Sequence, residues 1–220
     1  MNITNPKVSD YINLYYKPLN SKLCELRKIS ELARIPIILK ETEICLHSVL
    51  LLKNPKKILE IGTANGYSAS FFAELLPKSS VVTIESCKER YDDAIKNFEN
   101  LNIQNRITAY LGKGEEVLKD LQLKGERDFD FVFIDAAKSK YLEFFNESIK
   151  MCRHDAMVIS DNVLLRAMVA SDEFDTKNRY KTNIRHLRKY VKVLSEDPNH
   201  HTGIFAVGDG IAMTQLDFNN

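Results

Sequence analysis

The chain has 220 residues, of which 44% are hydrophobic and 28% are charged, a length that suits one domain with a large buried core. Lysine and arginine together number 31 against 30 for aspartate and glutamate, so the net charge of +1 excludes a strongly basic or acidic protein. The four cysteines form no C-x-x-C pair, and no apolar run approaches the roughly 18 residues that a membrane-spanning helix requires. We therefore expect a cytoplasmic protein with reduced thiols and no membrane association.

The first 55 residues have helical apolar spacing and are divided by Pro18, Pro36 and Pro55 into three segments. Beyond them, apolar strands are predicted at 57–61, 80–85, 106–111, 129–135, 156–161, 202–207 and 210–215. Helices are predicted between them at 67–76, 88–101, 115–122, 138–151 and 176–194. This alternation predicts one α/β domain over residues 1–220, in which a helical cap (1–55) precedes a mainly parallel sheet covered on both faces (56–220). Only Gly208-Asp209-Gly210 separates the last two strands, which predicts an antiparallel hairpin.

A glycine loop follows the first predicted strand, in the sequence I-L-E-I-G-T-A-N-G-Y-S that begins at Ile58. Gly62 and Gly66 are the first glycines of the chain, and their E-x-G-x-x-x-G spacing differs from the G-x-G-x-x-G that grips a pyrophosphate. The loop allows a close backbone approach without the pyrophosphate turn. It therefore favours a cofactor without phosphate, chiefly S-adenosylmethionine, with an ordinary turn that binds no ligand as the alternative.

Other candidate cofactor residues lie at strand ends, where open α/β sheets bind their ligands. Glu60 ends the first strand beside the glycine loop. Glu85 ends the second strand, where a carboxylate can accept hydrogen bonds from both ribose hydroxyls; a solvated strand-end acid is the alternative. Gly114 and Glu115 follow the third strand, where a turn can meet the edge of an adenine.

Three polar side chains follow the next two predicted strands. Asp135 ends one strand, and Asp161 and Asn162 end the following one, so their oxygens are expected to converge at the same edge of the sheet. Hard oxygen ligands suit Mg²⁺, which keeps positions open for water and substrate oxygens. No zinc spacing occurs, since His200 and His201 are adjacent and their side chains diverge in a strand. A capping or turn role is the alternative for each acid.

These motifs, together with F-I-D-A-A-K and the later D-N-V-L, resemble the cation-dependent O-methyltransferase family that includes catechol and caffeoyl-CoA O-methyltransferases, over about residues 35–216. The resemblance implies the class I S-adenosylmethionine-dependent (Rossmann-like) fold, with a seven-stranded, mostly parallel sheet, a C-terminal antiparallel hairpin, N-terminal helices and a homodimer. It implies a metal bound by Asp135, Asp161 and Asn162, and catalysis by Lys138 with Asp135. The implied cofactor residues are Glu60, Gly62, Thr63, Ala64, Gly66, Ser68, Glu85, Gly114, Glu115 and Asp135.

The expected mechanism depends on a divalent ion that chelates two neighbouring oxygens of the acceptor and lowers the pKa of the hydroxyl it binds. Lys138 either takes that proton or holds the developing anion, and a nearby cation disfavours the ammonium form of the lysine, which suits a base. The oxyanion then attacks the sulfonium methyl group in line.

The acceptor is predicted from a basic segment at 176–195, which contains no acid. Five of its basic residues, with Arg166, form the candidate RNA-binding set: Lys177, Lys181, Arg185, Arg188 and Lys192. Tyr180, Ile184, Leu187, Val191 and Leu194 are predicted to form its core-facing stripe. A solvated helix face is the alternative.

Two patterns, D-N-V-L-x-x-x-x-V-A and V-G-D-G-I-A, are similar to those of bacterial tRNA 5-hydroxyuridine methyltransferases, which implies a tRNA substrate carrying 5-hydroxyuridine at the wobble position. A small catechol-like or phenolic acceptor with vicinal oxygens is the alternative. A methyltransferase-like RNA-binding scaffold without activity is a third possibility.

Overall fold

The computed structural model describes residues 3–217, which form a seven-stranded sheet flanked by helices. The strands are β1 (Lys57–Ile61), β2 (Ser80–Glu85), β3 (Ile107–Leu111), β4 (Phe129–Ile134), β5 (Cys152–Ser160), β6 (His200–Phe205) and β7 (Ile211–Leu216). The helices are α1 (Pro6–Asn13), α2 (Ser21–Leu32), α3 (Lys40–Lys53), α4 (Tyr67–Leu75), α5 (Lys88–Leu101), α6 (Gly114–Leu123), α7 (Tyr141–Ile149) and α8 (Lys181–Glu196).

The strand order is β3-β2-β1-β4-β5-β7-β6. The first five strands pair in parallel, whereas β7 pairs antiparallel with both β5 and β6. The predicted mostly parallel sheet with a closing antiparallel hairpin is therefore confirmed. Because the parallel strands all point the same way, the residues that follow β1, β2, β4 and β5 meet at one edge of the sheet.

Alternating side chains of β4 show how the sheet is covered on both faces. Phe131 and Phe133 pack into one buried cluster with residues of α2, α3 and α4, whereas Val132 and Ile134 pack into a second cluster with residues of α6, α7 and α8. This period of two is the pleat of a strand that is buried on both sides. The N-terminal helices α2 and α3 therefore contribute to the same core as the sheet.

Two predicted helices begin later than expected. The helix predicted from residue 138 opens with a 3-10 turn at Lys138–Lys140 and becomes α-helical at Tyr141. The helix predicted from residue 176 begins at Lys181, because the N–H groups of Arg179 and Tyr180 donate to the carboxylate of Asp175 and hold the chain in a loop.

The predicted core stripe of α8 is wrong at one position. Tyr180 lies before the helix and is exposed, and Tyr190 is buried in the stripe instead. None of the four cysteines forms a disulfide. Among residues 3–217, no helix combines the length and the apolar character that crossing a bilayer requires.

Candidate active site

The glycine loop between β1 and α4 is shaped by two close approaches. Gly62 has a φ of +104°, and a Cβ atom there would lie 2.0 Å from the backbone oxygen of Asp135. Gly66 has a φ of +85°, and a Cβ atom there would lie 2.5 Å from the ring of Phe98. Only glycine tolerates both the positive φ and the lack of space for a Cβ atom at each of these positions. The loop is thus pressed against the end of β4 on one side and against α5 on the other.

Glu60 lies beneath this loop and is fully buried. Ser68 Oγ and Thr83 Oγ1 each donate a hydrogen bond of 2.5 Å to one of its carboxylate oxygens. Burial raises the pKa of Glu60 to about 7, although both hydroxyl donors lower it. Neither Glu60 nor Gly66 lines the adjoining cleft. These two predicted cofactor residues therefore support the loop from behind, and their contact with the cofactor stays a prediction.

Glu85 stands at the end of β2 with its carboxylate fixed by two backbone donors. The Ala64 N–H donates to Oε2 and the Cys87 N–H donates to Oε1, both at 2.8 Å. A carboxylate offers about four acceptor sites, so both oxygens can accept further hydrogen bonds. The glycine loop and the start of α5 thereby orient the carboxylate of Glu85 at the cleft.

A cleft of about 910 Å³ opens above these strand ends. It brings together eight of the ten predicted cofactor residues: Gly62, Thr63, Ala64, Ser68, Glu85, Gly114, Glu115 and Asp135. At Gly114 a Cβ atom would lie 2.7 Å from the Phe144 ring, so a larger residue there would displace the cleft wall. Glu115 lies 3.2 Å from the ammonium of Lys140.

Lys138 lies in the same cleft and is held by three oxygens. Its ammonium donates to Asp135 Oδ1 at 2.8 Å, to Asn162 Oδ1 at 2.7 Å and to the Tyr141 hydroxyl at 2.6 Å. The Tyr141 hydroxyl in turn donates to the backbone oxygen of Asp161 at 2.8 Å. The structure therefore places all the predicted metal and catalytic residues together. It adds Tyr141, which the sequence analysis missed although it follows Lys138 by three residues.

The protein groups around Lys138 raise its pKa. Burial lowers this pKa, but the charge of Asp135 and the hydrogen bonds to Asp135 and Tyr141 outweigh burial and raise it above its ordinary value. These groups stabilise the ammonium form of the lysine and suit the predicted role of holding a developing anion. The expectation of a disfavoured ammonium form concerns a lysine beside a bound divalent ion, and it stays a prediction.

Asp161 is fully buried beside these groups. Its Oδ1 accepts the Asn162 N–H at 2.7 Å, while its Oδ2 has no hydrogen-bond partner within residues 3–217. Burial, and then the charge of Asp135, raise the pKa of Asp161 above its ordinary value. An orphaned, buried carboxylate oxygen next to a second carboxylate is an arrangement that a bound cation would satisfy.

The candidate metal set consists of two carboxylates and one amide. In the described part of the chain, no three His, Cys, Asp or Glu side chains converge as a metal cluster. Asp135 and Asn162 line the cleft and Asp161 lies behind them. These hard oxygen donors fit Mg²⁺, which takes one or two carboxylates and completes its shell with water and substrate oxygens.

The acceptor side of the cleft contains residues that the sequence analysis did not single out. Asp209, in the turn between β6 and β7, lines the cleft 4.0 Å from the guanidinium of Arg166. Arg166 belongs to a left-handed turn in which Leu165, Arg166 and Ala167 have φ values of 44°, 54° and 68°. The two glycines that flank Asp209 were the available signal for a tight turn at the cleft. The segment 36–39 also lines the cleft.

The predicted RNA-binding residues divide into three groups. Arg166 lines the cleft, and Lys177, Lys181 and Arg185 are exposed outside it. The other two have partners within the chain. Arg188 lies 2.9 Å from Asp172 and donates to the Val169 backbone oxygen, and Lys192 lies 3.8 Å from Glu196. Tyr180 lines the cleft, so α8 begins directly beside it at Lys181.

A sheet of this order, with a glycine turn after its first strand, a carboxylate after its second and an inserted antiparallel strand, defines the class I methyltransferase fold. The chain belongs to the O-methyltransferase family, which it matches over residues 15–216. It is an O-methyltransferase of the type represented by the catechol and caffeoyl-CoA enzymes.

Related sequences and structures agree with this assignment. The flavonoid 3',5'-methyltransferase of Vitis vinifera is 27% identical over 90% of this chain and 84% of its own length. The catechol O-methyltransferase of Niastella koreensis is 34% identical over half of each chain. The crystal structure of a Bacillus cereus O-methyltransferase in complex with SAH has a TM-score of 0.83 at 24% identity, covering 96% of this chain and 97% of that one. This last likeness concerns the fold.

Proposed function

We propose that the protein transfers a methyl group from S-adenosylmethionine to an acceptor hydroxyl with the help of a divalent cation, chiefly Mg²⁺. The observation that carries the proposal is one cleft, lined by the glycine loop, Glu85 and Lys138, with the orphaned carboxylate of Asp161 buried behind it. The Bacillus cereus protein was solved with SAH, and a Streptomyces achromogenes O-methyltransferase involved in tomaymycin synthesis was solved with SAM.

The cofactor end of the cleft suits a ligand with hydroxyls and a positive charge. The carboxylate of Glu85 is oriented to accept hydrogen bonds from ribose hydroxyls, and Gly62 lets the loop lie directly against the backbone of Asp135. A backbone hydrogen bond is the largest of the contacts that lower the pKa of Glu115 below its ordinary value. Glu115 is therefore ionised at neutral pH and can accept hydrogen bonds. Asp135 adds a carboxylate to the cleft lining, which would favour a positively charged sulfonium.

Asp135, Asp161 and Asn162 would hold the cation, which supplies Lewis-acid polarisation of the acceptor hydroxyl. The ammonium of Lys138, fixed by Asp135, Asn162 and Tyr141, stabilises negative charge as it develops on the acceptor oxygen. S-adenosylmethionine would supply the methyl group to that oxygen, with S-adenosylhomocysteine as the product that keeps the sulfur electron pair. The acceptor hydroxyl proton passes to solvent. Positioning by the cleft walls supplies much of the rate.

The acceptor we propose is 5-hydroxyuridine at the wobble position of tRNA, which would be converted to 5-methoxyuridine. Its 5-hydroxyl lies beside the 4-carbonyl and so offers vicinal oxygens to a cation. Three features support an RNA acceptor: Arg166 at the cleft, the exposed Lys181 and Arg185 on α8, and the start of α8 directly beside the cleft. Exposed basic side chains leading away from a site suit a phosphate backbone.

A small catechol-like or phenolic acceptor is the second candidate. The relatives named catechol and flavonoid methyltransferases support it. A homodimer also remains a proposal. Its candidate contacts are exposed apolar side chains of the N-terminal helices, such as Leu32 at 85% and Leu52 at 88% exposure, and sedimentation velocity would test it.

The deciding experiment is nucleoside mass spectrometry of tRNA that carries 5-hydroxyuridine, incubated with the protein, S-adenosylmethionine and Mg²⁺. A chelator reaction and a parallel catechol reaction serve as controls. Metal-dependent formation of 5-methoxyuridine supports the tRNA acceptor. Methylated catechol with unchanged tRNA supports the second candidate, and no product from either acceptor contradicts both.

A further inference from the structure

Arg27 of α2 is a buried arginine, 4% exposed, whose guanidinium has partners in three other segments of the chain. Nε donates to the Tyr67 hydroxyl at 3.0 Å, and Nη2 donates to the Ile38 backbone oxygen at 3.0 Å and to Glu43 Oε2 at 2.5 Å. Nη1 donates to Glu31 at 3.2 Å. The fork of the guanidinium thus ties α2 to α3, to the start of α4 and to the segment that precedes α3.

Two of these partners are parts of the cleft wall. Tyr67 is the first residue of α4, directly after the glycine loop, and Ile38 lies in the segment 36–39, which also lines the cleft. The Tyr67 hydroxyl also donates to Glu43 Oε2 at 2.7 Å, and the Tyr16 hydroxyl donates to Glu43 Oε1 at 2.8 Å. The guanidinium therefore links two residues that line the cleft.

A second contact, one helical turn further along α2, joins this helix to the glycine loop. The amide of Asn65, inside the glycine loop, donates to Ser30 Oγ at 2.7 Å, and Ser30 Oγ donates to the Leu26 backbone oxygen. Residues 27 and 30 lie on the same face of α2. Both of these polar side chains are buried, and both point at the residues that flank Gly66.

Stability alone is a poor explanation for this network. Removing two charges from water costs several kcal/mol per ion, and well-packed apolar residues often replace a buried ion pair without loss. What the guanidinium provides and an apolar side chain cannot is a fixed geometry between three backbone segments. Because two of those segments form walls of the cleft, that geometry matters for the ligand that the cleft binds.

We propose that Arg27 is a positioning residue for the cofactor. It holds Tyr67 and Ile38 at the separation that the bound cofactor requires, and the N-terminal helices thereby shape the cofactor site. This inference rests on the proposed function in one respect, since it assumes that the cleft binds S-adenosylmethionine and its product.

The test measures S-adenosylhomocysteine binding by calorimetry, so it needs no acceptor. Arg27→Lys keeps the charge beside Glu43, but one ammonium replaces three separated nitrogens and cannot occupy all their positions. Tyr67→Phe removes only the hydroxyl. We expect each variant to bind about tenfold more weakly, and the double variant to bind no more weakly than the weaker single variant, because both act through one contact.

Tyr190→Phe is the matched control, because Tyr190 is also fully buried and its hydroxyl has one side-chain partner, Ser160 Oγ at 2.6 Å. It does not line the cleft. We expect this control to lower the melting temperature as Tyr67→Phe does, while its affinity for S-adenosylhomocysteine stays unchanged. A merely structural role for Arg27 would move the melting temperature without the affinity.

The outcomes are separable. If the wild-type protein binds no S-adenosylhomocysteine, the proposed function fails and this inference fails with it. If the wild type binds and a folded Arg27→Lys variant binds equally well, or the two losses are additive, only this inference is overturned. If circular dichroism shows that Arg27→Lys does not fold, Tyr67→Phe and Glu43→Gln decide, and unchanged affinity in both overturns it.

Discussion

A Cβ atom on Gly62 would lie 2.0 Å from the backbone oxygen of Asp135, so the glycine loop and the end of β4 are in direct contact. The Asp135 N–H also donates to the Ile61 backbone oxygen at 2.9 Å. The cofactor end and the catalytic end of the cleft therefore share one wall. A change at either residue is expected to disturb both ends.

Gly62→Ala tests this contact. The added methyl group would have to displace the backbone at the end of β4, and the φ of +104° at residue 62 is itself unfavourable for alanine. We therefore expect a loss of more than about 3 kcal/mol in the free energy of unfolding. Gly125→Ala is the control, since Gly125 has a φ of +80° but no atom within 4 Å of its Cβ position. Urea unfolding should show a loss of only about 1 kcal/mol there. Equal losses would mean that backbone strain, and not the contact, dominates.

Lys138→Ala should lower turnover far more than cofactor binding. The lysine contacts the catalytic groups and not the glycine loop, so we expect kcat to fall by about a thousandfold while the Kd of S-adenosylhomocysteine changes little. Lys150→Ala is the control, because Lys150 is exposed and pairs with Glu147 at the end of α7. Comparable losses in turnover and in cofactor affinity would contradict the role assigned to Lys138.

The raised pKa of Glu60 predicts that the free energy of unfolding depends on pH. Its pKa is about 7 in the folded protein, above its ordinary value of 4.5, so the folded state holds this proton more tightly than the unfolded chain does. Its contribution is fully present below about pH 4.5 and is lost as the pH rises through 7, by about 3 kcal/mol. Glu60→Gln resembles the protonated form, so urea unfolding between pH 5 and 8 should show a smaller decline in this variant. Parallel curves for the two proteins would exclude Glu60 as the source.

Much of the sheet could be predicted from sequence because each strand is short, apolar and bounded by turn residues, and β1 and β2 match their predicted bounds. The gathering of Asp135, Asp161 and Asn162 was predictable too, since parallel strands end at one edge. Sequence position alone did not show on which side of the loop Glu60 faces. A strand-end acid can point into the cleft or beneath the loop, and the hydroxyls of Ser68 and Thr83 decide between the two.

The pairing of Arg188 and the direction of the Lys138 pKa shift could not be predicted either, because both depend on contacts between distant segments. Arg188 pairs with a loop that lies outside α8, and Lys138 receives hydrogen-bond partners from the ends of two strands. A helical pattern shows which face is basic. It does not show which of its charges have a partner within the chain.

The exposed basic residues of α8 predict a salt-dependent interaction with tRNA. Lys181→Glu with Arg185→Glu should weaken tRNA binding and reduce the slope of log K against log salt by roughly one for each phosphate that the variant no longer neutralises. Lys96→Glu with Lys119→Glu is the matched control, since both lysines are exposed and lie outside the cleft. Filter binding at several salt concentrations would measure both slopes. The same slope in both double variants would contradict a contact between α8 and the phosphates of tRNA.

The strand order also bears on how the nascent chain folds. β6 leaves the ribosome before β7, yet β7 lies between β5 and β6 in the sheet. β6 therefore has no native partner strand until β7 has been synthesised, and the Asp209 turn that connects them lines the cleft only then. Stalled chains that end before Ile211 should remain open to protease at β6, so this enzyme becomes competent late in translation.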